Sequence, residues 1–369
     1  MSEGRRLGIV GGGQLGRMLA LAGANLGVTT RFVDPAPDAG AAVAATQIEA
    51  QYDSIDALIE LAESSDVVTF EFENVPAPAL EAVAAHGRIA PPPQSLAASQ
   101  DRLTEKQLFD SLAIAVAPYR NVESFNGLEK AVDELGRPAI LKTRRLGYDG
   151  KGQARIDEQT DLRHAWEQVG EAASVLEAMI DFDRELSVVA TRGAGGEVVV
   201  YPLTENVHRA GILRTSTVPA TGESEHRARA EDWVTKLLEA IDHVGTIALE
   251  LFVRGDELIA NEFAPRVHNS GHWTIDAAPT SQFENHVRAV LGLPLGATRP
   301  ALPCTMINLI GGMPEAAEVL AIPGAKLHDY AKQPRPGRKI GHITVVPVAG
   351  EDHDACVSRA IELAGQSAV

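Results

Sequence analysis

The sequence predicts a chain of mixed class, α/β followed by α+β. An N-terminal parallel sheet leads into a central region of antiparallel sheets and a small β-rich C-terminal unit. Three observations predict it. Strand and helix signals alternate over the first hundred residues. Apolar strands paired across glycine-rich turns then fill residues 101–296, and strands with a closing helix return from residue 297. Alternation implies a parallel sheet covered by helices, and short turns between apolar runs imply hairpins. The expected units are 1–100, 101–296 and 297–369.

Residues 7–10 form a short apolar strand, and 15–26 a helix with Leu15, Met18, Leu19, Ala22 and Leu26 on one face. Residues 29–33 are β-rich and end at Asp34-Pro35. Helix at 55–62, a buried strand at 67–72 and helix at 77–85 follow, and Pro91-Pro92-Pro93 reads as a boundary. Beyond it, helices are expected at 101–111, 127–135 and 228–241. Strand pairs are expected at 139–143 with 153–156, 185–191 with 197–203, and 246–253 with 257–263. Strands at 305–310 and 343–348 precede a helix at 353–364.

Composition excludes several classes. The chain has 369 residues, with 33 Lys+Arg, 50 Asp+Glu and a net charge of −17. Such a chain repels nucleic acid and anionic membrane surfaces. Hydrophobic residues at 45% and charged residues at 22% match packed rather than disordered proteins. No apolar run approaches the ~18 residues of a membrane span, and residues 1–6 do not open a signal peptide. Cys304 and Cys356 offer neither a disulfide framework nor a metal spacing. Both are expected to be reduced and buried, in a cytoplasmic protein. Cations gather at Arg144, Arg145 and Lys151, and at Lys332, Arg335, Arg338 and Lys339. Lying among glycines, these clusters read as anion sites, with a solvated face as the alternative.

Gly11-Gly-Gly-Gln-Leu-Gly16 fits G-x-G-x-x-G between a strand and a helix. Its N–H groups are expected to face a phosphate at the helix N-terminus. Asp34, 18 residues after Gly16, has the spacing of a ribose-binding acid. On this loop alone a nicotinamide oxidoreductase leads, with an unliganded tight turn as the alternative. Glu73 and Asn74 end a buried strand where substrates of open α/β sheets sit. A helix cap is the bland reading of that pair.

Lys142 ends an apolar strand and needs a partner there. The loop that follows carries glycines at 147, 150 and 152, and can close over a triphosphate without being a Walker A loop. Residues 177–180 offer an acceptor and backbone groups for an adenine edge, or a plain strand end. The sharpest constellation pairs 248–252 with 258–263. A turn centred on Asp256 sets Glu250 opposite Glu262, where two desolvated carboxylates repel. A divalent cation, with Mg2+ favoured by oxygen ligands and nearby phosphates, removes that conflict. A shared proton or an opposing Lys or Arg is the alternative.

Together these residues resemble the ATP-grasp superfamily. Six stretches narrow the likeness: residues 11–17, 70–75, 147–153, 205–208, 261–272 and 338–342. They look like those of the 5-(carboxyamino)imidazole ribonucleotide synthase family of purine biosynthesis, in the expected order along nearly the whole chain. The resemblance implies a Rossmann-like pre-ATP-grasp domain, an ATP-grasp domain and a small C-terminal domain. It also implies an ATP-dependent ligase acting on ATP, bicarbonate and 5-aminoimidazole ribonucleotide, with Mg2+ and as a homodimer.

Carried over residue by residue, the resemblance implies ATP binding by Arg102, Lys142, Gly147, Tyr148, Asp149, Gly150, Lys151, Gly152, Gln153, Glu177, Ala178, Met179, Ile180, Glu185, His208, Asn261 and Glu262. Glu250 and Glu262 would hold Mg2+. Gly13, Gln14, Leu15, Glu73, Asn74, Tyr148, Asp149, Arg266, Asn269, Ser270, Lys332, Arg338 and Lys339 would surround bicarbonate and the ribonucleotide. Lys142, Tyr148, Asp149, Arg266 and Lys339 would carry the chemistry, with Asp149 the candidate to take the amine proton or to orient it. The competitors are a nicotinamide oxidoreductase, another ATP-grasp ligase using formate or carboxylating biotin, and a non-enzymatic nucleotide-binding module.

Overall fold

The first four strands form a parallel sheet in the order β3-β2-β1-β4: β1 (Arg6–Val10), β2 (Thr29–Asp34), β3 (Thr46–Glu49) and β4 (Val67–Phe70). The computed structural model that shows this describes residues 4–145, 147, 152–299 and 301–365. Both β1 and β4 are buried almost throughout, because helices cover the sheet, and so they read as continuous apolar runs. The polar, half-exposed edge strand β3 carries no such signal. Helix Gln14–Asn25 buries Leu15, Met18 and Leu19, and helix Ile55–Glu63 buries Leu58 and Leu61.

The proline run does not end this unit. Pro92 and Pro93 start a helix, Pro93–Ser99, where a fixed φ and a missing N–H suit the first turn. That helix packs between Ala77–Val83 and Arg102–Ser111. Asp101 caps the latter, accepting from Leu103 N at 3.0 Å.

A second sheet is antiparallel, in the order β5-β8-β6-β7: β5 (Tyr119–Val122), β6 (Ala139–Thr143), β7 (Gln153–Ile156) and β8 (Ser174–Ala178). The third comprises β9 (Arg184–Arg192), β10 (Val198–Val200), β11 (Thr204–Arg209), β12 (Ile212–Val218), β13 (Gly245–Arg254), β14 (Glu257–Ala264), β15 (Cys304–Ile310), β16 (Ala325–Asp329) and β17 (Lys339–Val345). Its order is β14-β13-β9-β11-β12-β15-β17-β16, with β10 paired to β9. The strand expected at 197–203 is thus the short β10. The chain then turns back into the β11–β12 hairpin, which sequence reading did not foresee.

The strands after residue 297 extend the central sheet, through β12 and β15 paired at Thr215↔Ile307. Trp233, Val234, Leu237 and Leu238 of helix Glu223–Ala240 seal the β9–β13 face. Cys304 is buried as expected, but Cys356 is only partly so, on the last helix. No described helix is long and apolar enough to cross a membrane.

Candidate active site

The first glycine loop is built around protein carboxylates. Gly16 N donates to Glu71 Oε2 at 2.6 Å, and Gly13 N donates to Glu71 Oε1. A Cβ on Gly13 would lie 2.6 Å from that oxygen, so the glycine admits Glu71. Gly12 N donates to Asp34 Oδ2 at 2.8 Å, and Asp34 also accepts from Tyr52 Oη and Ala36 N, each at 2.8 Å. This corrects both expectations for the loop. The N–H groups of Gly12, Gly13 and Gly16 are committed internally, and Asp34 serves the loop rather than a ribose. Burial raises the Glu71 carboxyl above its ordinary value, against those N–H bonds and the nearby Lys332 charge.

Around the loop, Lys332 Nζ donates to Gln14 Oε1, and Arg266 pairs with Glu73 at 2.5 Å. The Leu15 side chain packs in the core, so only its backbone is available. Asn74 is exposed. Arg338 is half-buried and donates to Gln333 O at 3.1 Å, and Lys339 heads β17. The Asn269 amide is paired with that of Asn308, and Ser270 Oγ accepts from Ser187 at 2.8 Å. Both side chains are thus engaged within the protein, Asn269 partly and Ser270 fully buried.

The nucleotide half centres on Lys142. Its Nζ lies 3.1 Å from Glu177 Oε2, and Lys106 Nζ approaches the same oxygen at 3.2 Å. Lys106 also donates to Asn261 O at 2.8 Å. Burial would raise the Glu177 carboxyl, but Lys142, Lys106 and Arg102 hold it well below its usual range. Through Oε2 the Glu177 side chain thus aligns Lys142, while its buried Oε1 has no partner among the described residues. Ala178 N and Met179 N are engaged too, donating to Pro118 O at 2.8 Å and Pro138 O at 3.1 Å. His208 Nδ1 meets Glu185, which holds the imidazole above its ordinary value against the opposing effect of burial. Gly152 carries the left-handed φ of +68°, and Gln153 pairs with Lys142 in the β6–β7 ladder. Gly147 is half-buried. Tyr148, Asp149, Gly150 and Lys151 lie outside the described residues.

The acid pair sits on β13 and β14, with a correction to the turn. The hairpin closes on Arg254↔Glu257 through Gly255-Asp256, and a bulge around Glu250 shifts the register before Leu249↔Phe263. The two acids still lie on facing strands, but each has a basic partner. Arg102 Nη1 donates to Glu262 Oε2 at 2.8 Å, and His268 Nε2 lies 3.1 Å from Glu250 Oε1. Burial would raise the Glu250 carboxyl, yet His268, His208 and Lys339 keep it well below the usual carboxylate range.

The cationic cluster at 144–151 is also partly structural. Arg144 grips Asp101 bidentately, Nε to Oδ1 at 2.9 Å and Nη2 to Oδ2 at 2.7 Å, while Arg145 is exposed.

Comparison with known proteins decides what this arrangement belongs to. Residues 5–100 match the ribonucleotide synthetase preATP-grasp domain, 107–283 the ATP-grasp domain, and 304–356 the phosphoribosylaminoimidazole carboxylase C-terminal domain. The N5-carboxyaminoimidazole ribonucleotide synthase of Brucella melitensis is 49% identical over 350 residues, covering 93% of this chain and 97% of that protein.

The chain belongs to the N5-carboxyaminoimidazole ribonucleotide synthase family.

Solved structures of this synthase family superpose closely. The N5-carboxyaminoimidazole ribonucleotide synthetase of Thermus thermophilus gives a TM-score of 0.92 at 46% identity, covering 98% of this chain and 99% of that one. The Aspergillus clavatus synthase in complex with ADP and 5-aminoimidazole ribonucleotide gives 0.89 at 32% identity, covering 99% and 100%. As a member of the synthase family the chain is an ATP-grasp ligase, forming a carbon–nitrogen bond at the expense of ATP.

Four residues that shape this synthase site escaped sequence reading. Glu71 fills the glycine loop, and Lys106 shares Glu177 with Lys142. His268 meets Glu250, and Glu105 accepts from Phe263 N at 2.7 Å beneath the acid pair. Glu71 and His268 lie inside motifs that were singled out. Glu105 and Lys106 sit on an amphipathic helix, with no local signal that they point inward.

Proposed function

We propose that this chain carries out the reaction its family is named for, ATP-dependent carboxylation of 5-aminoimidazole ribonucleotide by bicarbonate, with the following division of labour. The observation that carries the reading is the Lys106–Glu177–Lys142 triad set beside the Arg102–Glu262 and His268–Glu250 pairs. These groups bring fixed positive charge and two metal-competent acids together around β8, β13 and β14. Residues 1–100, 101–296 and 297–369 are taken as the three functional units.

ATP lies over Lys142, the 147–153 loop and residues 177–180, with Glu185, His208 and Asn261 around it. The carboxylates of Glu250 and Glu262 are hard oxygen donors on facing strands. That donor set fits Mg2+, which would supply charge neutralisation at the phosphates. A bicarbonate oxygen attacks the γ-phosphorus and ADP leaves, giving carboxyphosphate. Lys142, oriented by Glu177, and Arg266, oriented by Glu73, stabilise the charge that moves in this step. Carboxyphosphate breaks to carbon dioxide and phosphate. The exocyclic amine then attacks the carbon and gives up one proton, with Asp149 the assigned acceptor.

The ribonucleotide half comprises Gln14, Glu73, Asn74, Tyr148, Arg266, Lys332, Arg338 and Lys339, together with the backbone of Gly13 and Leu15. Because Glu71 fills the helix N-terminus, its phosphate is assigned to Lys332, Arg338 and Lys339 rather than to the glycine N–H groups. The enzyme is placed in the cytoplasm and as a homodimer. Sedimentation showing only monomer at micromolar concentration would contradict the dimer.

Labelled bicarbonate and labelled formate, offered in parallel with ATP and the ribonucleotide, test the reading. Label from bicarbonate alone is expected in an acid-labile product. Label from formate, or ATP cleavage indifferent to bicarbonate, would overturn it.

A further inference from the structure

Beside the ribonucleotide half lies a chain of mostly buried polar side chains, of which only Asn269 was expected to face substrate. It runs through Asn308 of β15, Asn269 and His272 of the loop after β14, Tyr330 just past β16, and His342 of β17. Tyr330 is 2% exposed, His272 1%, and Asn308 and His342 0%. Buried polar groups at this depth are costly to leave unpaired, and most here bond one another; only Nε2 of His272 and of His342 lack a partner among the described residues.

The hydrogens can be assigned outward from one backbone anchor. Asn308 Nδ2 donates to Leu213 O at 3.0 Å, which fixes that amide. Asn308 Oδ1 therefore accepts from Asn269 Nδ2 at 3.0 Å, and Asn308 Nδ2 donates back to Asn269 Oδ1 at 2.8 Å. Asn269 Nδ2 also faces His272 Nδ1 at 3.1 Å, so that ring nitrogen is an acceptor. The Tyr330 hydroxyl then donates to His272 Nδ1 at 2.9 Å and accepts from His342 Nδ1 at 2.8 Å. Burial holds both imidazoles well below the ordinary histidine value, consistent with neutral tautomers.

Asp276, His328 and His342 also bring ligand atoms within 4.8 Å of one another. The rings of His328 and His342 stack with centroids 4.2 Å apart and planes at 8°. Within this cluster His328 Nε2 already meets Asp276 at 2.8 Å.

This chain joins two cation-bearing segments. One side is the loop that carries Arg266 and His268. The other runs from Tyr330 to His342 and carries Lys332 and Lys339. We propose that Tyr330 is a positioning residue that locks these two segments in register, so that their cations meet the ribonucleotide in a single geometry. The inference rests on the ribonucleotide reading given above and deepens it.

Three variants of the full chain test it: Tyr330→Phe, His342→Asn and His342→Leu. Removing the hydroxyl should weaken ribonucleotide binding about tenfold in the presence of ADP, the loss of roughly one net hydrogen bond, while ADP affinity stays within about twofold. His342→Asn keeps a donor where Nδ1 stood and should bind nearly as the parent does. His342→Leu should match Tyr330→Phe. Calorimetry reads this split without turnover, so it is separable from the carboxylation assay. A parent that binds the ribonucleotide but does not carboxylate it would overturn the reaction and leave the positioning role standing. Equal losses for both ligands, unchanged ribonucleotide affinity, or indistinguishable Asn and Leu variants would overturn the positioning role. If Tyr330→Phe does not fold, the His342 pair decides alone.

Discussion

Arg102 donates from Nη1 to Glu262 Oε2 at 2.8 Å, joining the helix that opens the central region to β14 across 160 residues of chain. The Arg102 side chain is only 13% exposed, so its charge depends on that partner. The acid pair is therefore not a bare repulsive couple awaiting a cation. In the protein alone, Arg102 neutralises Glu262 and His268 Nε2 lies 3.1 Å from Glu250, and a divalent ion binding there must compete with or rearrange them.

Glu262→Gln tests this balance. Turnover is expected to fall by about 10²–10³, the scale of losing one preorganised electrostatic contact. Without Mg-ATP the variant should also be less stable than the parent by about 1–3 kcal/mol, because Arg102 loses its charged partner. Melts with and without Mg-ATP, beside turnover, check both. Near-native turnover, or a variant more stable than the parent without nucleotide, would contradict the assignment.

The glycine loop offers a second test. Gly13→Ala places a Cβ against Glu71, and Glu71→Ala leaves two buried N–H groups without acceptors. Each is expected to destabilise the protein by about 1–3 kcal/mol. Neither should create nicotinamide dinucleotide binding, since Asp34 stays engaged by Tyr52 and Ala36. Thermal melts and a dinucleotide titration check this. Tight dinucleotide binding by the parent would contradict the reading of the loop.

Lys332 predicts a pH dependence. Burial brings its ammonium down to about 8; Glu71 resists this, while Arg338, Arg335 and Lys339 add to it. Its charge is therefore lost as pH rises through about 8, and the KM for the ribonucleotide should climb there while that for ATP does not. Lys332→Arg keeps the charge and should flatten the climb. Identical pH profiles for parent and variant would remove Lys332 from the anion site.

Glu105 predicts a pH dependence of stability. Burial and the nearby Glu262 charge raise its carboxyl from 4.5 to about 8. The fold then holds a proton that the unfolded chain has released, so this contribution is complete below about pH 4.5 and lost as pH rises through 8. Glu105→Gln keeps the acceptor for Phe263 N and should remove part of that decline. Melting temperatures measured from pH 5 to pH 9 check it. A parent and variant that decline in parallel would contradict a protonated Glu105.

Much of this was legible in the sequence where local pattern is decisive. Buried strands such as β1 and β4 announce themselves as apolar runs, and the strand lysine 142 demands a partner wherever the chain goes next. What could not be read was which group answers each demand. The loop at 11–16 shows that an anion belongs there, but the carboxylate that fills it comes from residue 71 through the parallel pairing of β1 with β4. The partner of Lys142 is Glu177, shared with Lys106 from a distant helix. The turn at Gly255-Asp256 displaces the expected register by one residue and the bulge near Glu250 restores it at Leu249↔Phe263, which spacing alone does not distinguish. Polar or short strands such as β3, β5 and β16 carry no periodic signal, because tertiary pairing rather than local propensity holds them.

Oxygen transfer tests the central claim most directly. Freshly dissolved 18O-bicarbonate, with ATP and 5-aminoimidazole ribonucleotide in a single rapid-quench turnover, should deliver one labelled oxygen to the inorganic phosphate released. That result is required if a bicarbonate oxygen attacks the γ-phosphorus before carbon reaches the amine. Phosphate carrying no label, while the carboxylated ribonucleotide still forms, would contradict carboxyphosphate and the site built to stabilise its formation.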